Sequence, residues 1–132
     1  VWVKSRTTGY THNLQDTVRG YNKFLNTDTT QAQTQVLGNL LFNSNGFGLG
    51  PVSAYNGWNT SADSYTSWTF RKAPKFFDVV TYTEKGAAGR QIPHALGIAP
   101  GMVIVKCTDA VGYWAVKHKD ANLSTYIYLA FA

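Results

Sequence analysis

Apolar residues recur at every second position in short runs along this chain, while a helical period of three to four is nearly absent. That pattern predicts strands at Val1-Trp2-Val3-Lys4, weakly through His12 to Arg19, at Phe24-Leu25, Tyr65 to Phe70, Phe76 to Thr83, Met102 to Lys106, Tyr113 to His118 and Tyr126 to Phe131. Turn-forming residues separate them, among them Arg6-Thr7-Thr8-Gly9, Gly20, Glu84-Lys85-Gly86 and Ala99-Pro100-Gly101. Leu40-Leu41-Phe42, Asn43-Ser44-Asn45-Gly46 and Phe47-Gly48-Leu49-Gly50 give the strongest hairpin signal, two apolar pieces joined by residues that tolerate positive φ. Two polar stretches, Asn26 to Gln35 and Pro51 to Asp63, read as loops.

Short strands at this spacing predict an all-β fold, an antiparallel β-sandwich of the jelly-roll or concanavalin-like kind with about 7–10 strands and little or no helix. Parallel α/β architecture lacks the helices it would need.

A repeat adds to this. Val1-Trp2-Val3-Lys4 followed by Gly9-Tyr10 is echoed by Val103-Ile104-Val105-Lys106 followed by Gly112-Tyr113. Ser64-Tyr65-Thr66-Ser67-Trp68-Thr69-Phe70 is echoed in turn by Thr125-Tyr126-Ile127-Tyr128-Leu129-Ala130-Phe131, with less chain between the two motifs in the second copy. The unit is built of strands. Two tandem copies of one unit are expected from the echo, the second the shorter, cut from a longer array. The paired Val-x-Val-Lys segments would then be equivalent, neighbouring strands.

Composition limits the chemistry. At 14% the charged fraction is low, and at 14% the aromatic fraction is high, as in extracellular or virion β-proteins. The net charge of +5 comes from singly scattered Lys and Arg, with only Lys117-His118-Lys119 as a local cluster, so nucleic acid is not an expected partner. No apolar run is long enough to span a bilayer, so no membrane insertion is expected. The single Cys107 cannot form an internal disulfide and is expected to be a small buried residue at a strand end.

Seven acids are available: Asp16, Asp28, Asp63, Asp78, Glu84, Asp109 and Asp120. They form no motif that would set two carboxylates across a sugar, so no catalytic residue is assigned. His12, His94 and His118 lack metal-ligand spacing; His12 is expected to pair with Asp16, and His94 to pin its turn. No metal or cofactor is expected, Asp28 and Asp63 being the only loop acids with which a calcium site would begin.

Glycan recognition needs an exposed ring beside polar groups, because sugars stack their C–H faces on Trp and Tyr. Tyr55-Asn56-Gly57-Trp58-Asn59 fits that description, giving Trp58, Tyr55, Asn56 and Asn59 as the candidate glycan-binding residues. The alternative for Trp58 is to fold back over the sandwich edge. Trp2, Trp68 and Trp114 lie in strands and are expected in the core.

Val1 to Arg6, His12 to Gly20, Phe42 to Gly50 and Tyr65-Thr66-Ser67-Trp68 together resemble a phage-encoded lectin-like module of tail-fibre and other virion proteins. Phe77 to Thr83, Ile92-Pro93-His94-Ala95-Leu96-Gly97 and Pro100 to Lys106 resemble the opening of the same module. The resemblance implies a concanavalin-type or laminin-G-type sandwich and a non-enzymatic structural or adhesive role on the virion. It departs from that pattern in order, since residues 1–73 lack the opening strands and residues 76–132 lack the hairpin; the resemblance thus implies two partial copies, 1–73 as the later part of one module and 76–132 as a shortened second, either completing one composite sandwich or each relying on chain outside this sequence. Expected partners are other virion chains, host-surface glycans and further copies of this chain through exposed strand edges. The alternative function is a sugar-binding or catalytic domain of a carbohydrate-active enzyme.

Overall fold

The computed structural model describes residues 1–35, 40–50, 58–86 and 88–121, and the backbone alone at 127–129. The fold is all-β, every strand pairing in it is antiparallel, and the described residues contain no helix.

In chain order the strands are β1 Trp2–Ser5, β2 Asn13–Leu14, β3 Lys23–Asn26, β4 Thr34–Gln35, β5 Leu40–Asn43, β6 Gly46–Leu49, β7 Tyr65–Trp68, β8 Met102–Lys106, β9 Trp114–His118 and β10 Ile127–Leu129. A five-stranded sheet has the order β4-β3-β2-β1-β7, a three-stranded sheet the order β10-β9-β8, and β5-β6 stand as a hairpin.

Register decides what each face of the five-stranded sheet carries. Val3 pairs with Asn13 and Asn13 with Asn26, so these share one face. Trp2 pairs with both Leu14 and Trp68, and Leu14 with Leu25, so these four form a row on the opposite face. Side chains alternate across a strand with period two, which makes the two rows mutually exclusive. The Val3 face is the inner one: Val3, Phe24, Leu40 and Trp58 form the buried cluster, with Val1, Phe42, Phe47 and Tyr65 packed around it. Leu40 and Phe42 come from β5 and Phe47 from β6, so the hairpin covers this face.

The hairpin is the one foreseen, with Asn43 paired to Gly46 across Ser44 and Asn45. None of those four residues takes a positive φ, so it closes without the left-handed geometry that its composition permits.

The weak alternation from His12 to Arg19 becomes a strand of two residues only. Asp16 ends it: its carboxylate accepts from the Val18 and Arg19 amides and pairs with Arg19 Nε at 2.6 Å. Gly20, at φ 101°, completes the turn. Arg19 thus takes the place expected for His12, whose own amide donates to Asp28.

Phe76 to Thr83 is not a strand. Pro74 and Lys75 reverse the chain between the bridged residues Ala73 and Phe77, with Lys75 at φ 61°, and Phe76 falls inside that turn. Beyond it the chain is held by side chains rather than by a neighbouring strand, including Arg90 over the Tyr82 ring and bonded to the Thr83 carbonyl.

Each sheet draws its strands from one half of the chain. The two Val-x-Val-Lys segments are therefore not neighbours: β1 is an inner strand between β2 and β7, and β8 is an edge strand beside β9. What they share is the lysine at the end, since Lys4 Nζ donates to the Thr8 and Tyr10 carbonyls and Lys106 Nζ to those of Thr30 and Cys107. The three-stranded sheet is attached through residues 29–33: Trp114 Nε1 donates to the Thr29 carbonyl, Gly112 N to Thr30 and Gln33 N to Thr108. Trp114 is buried at this junction.

Phe24 has no exposed surface and meets Trp58 edge-on at 5.7 Å between ring centroids. Phe24→Ala is expected to cost about 3–5 kcal/mol in urea unfolding. Tyr21→Ala, at an exposed position three residues earlier, should stay within about 0.5 kcal/mol of the parent.

Candidate functional site: an exposed aromatic strip on the outer face

The row on the outer face is graded. Leu25 is buried, Leu14 and Trp2 are half-buried, and Trp68 on edge strand β7 is 45% exposed. The Trp2 and Trp68 rings lie 5.0 Å apart at 40°, as expected for a directly opposed cross-strand pair. The aromatic surface continues past the end of β7. Phe70 is exposed and stacks on Phe77 at 5.3 Å, and Phe76, 65% exposed, meets Phe77 at 6.4 Å. Thr66, paired to Lys4, lies beside Trp68 on the same face, and Ser67 and Thr69 flank it in sequence.

Of the two places expected for Trp58, the loop site and the folded-back position, the structure shows the buried one, and Trp68 leaves the core position expected for it. Trp58 is 4% exposed and belongs to the inner cluster, so it closes the core and offers no ring to solvent. Trp68, expected in the core, is the exposed one. The reason lies in register: Tyr65 faces the core, which sends Trp68, three residues on, to the outer face. Of the other loop candidates, Asn59 is exposed next to the buried Trp58, while Tyr55 and Asn56 lie outside the described residues.

Carboxylates near the strip are tied to neighbours. Asp78 accepts from Lys72 Nζ at 2.7 Å, from the Ala95 amide at 2.6 Å and from the Val79 amide at 2.9 Å. The Lys72 bond, then the Ala95 amide, hold its carboxyl below the ordinary value. Asp63 accepts from the hydroxyls of Thr7 at 2.6 Å and Thr8 at 2.8 Å, which likewise hold it low. Glu84 is held low by the Gly86 and Lys85 amides. A general acid needs the opposite shift.

The remaining candidates have plain structural roles. His94 Nδ1 accepts from the Leu96 amide and so pins the turn before Gly97, as expected. Asp28 receives the His12 amide, and Asp63 the two threonines, so neither lies in a cluster of acids; no group of three or more His, Cys, Asp or Glu side chains placed to hold a metal occurs among the described residues. Cys107 is exposed, not buried, because it follows β8 in the loop to β9 and faces no packed layer.

The structure is thus an all-β antiparallel domain with an aromatic strip on the face opposite its core. A family model described as a domain of unknown function (DUF7483) matches residues 1–132, and the chain belongs to that family. The match runs through residues 73–76, where the two partial copies were expected to join. No curated protein and no solved structure matches the chain.

Asp78 gives this region a pH dependence of definite sign. Its carboxyl lies below the ordinary 3.8, so the tie between Lys72, Asp78 and Ala95 contributes fully above that value and is lost as pH falls through the lower folded-state one. In an NMR titration the Ala95 amide should hold its shift down to about pH 4 and move below it. Asp78→Asn should abolish that movement.

Proposed function

We propose that this chain is a non-enzymatic structural and adhesive module of a phage virion, exposed on the particle, and that it meets host-surface glycans through Trp68 and Trp2. The observation that carries the binding part is the exposed Trp68 ring, tilted against Trp2 and beside Thr66 at the open side of an edge strand. A ring held on a rigid strand and packed against a second ring loses little entropy when a sugar face settles on it, and nearby hydroxyls can meet those of the sugar. The virion assignment is supported by the resemblance of the Val1 to Arg6, Phe42 to Gly50 and Pro100 to Lys106 motifs to phage lectin-like modules. The non-enzymatic reading is supported by Asp63, Asp78 and Glu84, all held towards the ionised form by hydrogen bonds.

A glycan array probed with the purified chain tests the binding. Trp68→Ala is expected to lower retention about fivefold or more, since loss of one stacked ring removes on the order of 1 kcal/mol or more, with an unchanged unfolding midpoint. Retention by a folded Trp68→Ala chain equal to the parent's would sink the Trp68 site. Turnover of a polysaccharide by the parent would sink the non-enzymatic reading.

A further inference from the structure

Strand β8 runs Met-Val-Ile-Val-Lys, with β9 on one side and, among the described residues, no strand on the other. Its four apolar residues are open on both faces, Met102 at 55%, Val103 at 42%, Ile104 at 51% and Val105 at 37% exposed. A strand apolar on both faces is the kind normally buried within a sheet. Natural edge strands are protected by charges, prolines or bulges, and β8 carries none of these between Met102 and Val105. Its one lysine is drawn away, Lys106 Nζ being bonded to the Thr30 and Cys107 carbonyls.

We propose that the free edge of β8 is a self-association site at which a second copy of this chain adds its own β8, antiparallel, about a two-fold axis at Ile104. The occupant follows from the strand itself. In that register Ile104 meets its own counterpart, Val103 meets Val105 and Met102 meets Lys106, so every apolar side chain gains an apolar neighbour or a lysine stem. The contact is isologous and closes at two copies. Charge does not oppose it: Lys117 on β9 is paired to Val103, which leaves the two copies of Lys117 three strand spacings or more apart, about 14 Å, beyond the screening length at physiological salt. One five-residue edge is small against the roughly 800 Å² per partner of a stable complex, so the dimer is a weak one.

Sedimentation velocity of the full chain from about 10 µM to about 1 mM covers that range. The expected result is a monomer at the low end passing to a dimer at the high end, with Ile104→Lys monomeric throughout and unchanged in circular dichroism. If Ile104→Lys does not fold, oxidative trapping in a Cys107→Ser background reads the same register. Ile104→Cys should cross-link to a dimer, because directly opposed residues lie within disulfide reach, and Val103→Cys, which faces residue 105, should not. A parent monomeric at the highest concentration, an assembly larger than a dimer, a dimer that survives in folded Ile104→Lys, or equal cross-linking at 103 and 104 would overturn the proposal. Glycan retention by Trp68 lies on another sheet and is unaffected by any of these outcomes.

Discussion

The fold depends on the register of β1 between β2 and β7. In that position Val1, Val3 and Ser5 point inward to Phe24, Leu40 and Trp58, while Trp2 and Lys4 point outward. A slip of one residue would bring Trp2 and Lys4 into the core and expel Val3. The hairpin reinforces the choice because Leu40, Phe42 and Phe47 pack on the Val3 face alone. The same register places Trp68 beside Trp2 on the far face, so the core and the candidate site are two consequences of one pairing.

Much of the all-β character was legible in the period-two pattern, and least where inward positions are polar. In β2 the inner face receives the fully buried Asn13 and, just past the strand, Gln15, while Leu14 faces outward. Apolar alternation there runs opposite to burial, which is why the segment reads only weakly. The hairpin at Leu40 to Leu49 was legible because Leu40, Phe42 and Phe47 give it an apolar face. Phe76 to Thr83 misled for the converse reason: its alternation is good, but a strand also needs a hydrogen-bonded neighbour, and Pro74 and Lys75 turn the chain first. The burial of Trp58 and the exposure of Trp68 have a similar origin. A tryptophan in a polar loop and one in a strand do not disclose which will be covered, since that depends on which face of β7 meets the core.

The second half of the chain is organised differently from the first. Its buried anchor is Trp114, bonded to the Thr29 carbonyl, and the stretch between β7 and β8 is held by point contacts such as those of Asp78 with Lys72 and Ala95. That leaves β8 and the Phe70, Phe76 and Phe77 rings accessible. Apolar surface of this kind on a small β-domain marks contact with other molecules more often than internal packing. The terminal lysines of the two Val-x-Val-Lys strands are alike in binding loop carbonyls, although β1 is enclosed and β8 is open.

One register puts Trp58 inside and Trp68 outside, and line broadening of the indole ring protons by a soluble paramagnetic agent reads that placement ring by ring. Strong broadening is expected for Trp68 and protected signals for Trp58 and Trp114. Protected Trp68 signals together with broadened Trp58 signals would contradict both the register and the candidate site built on it.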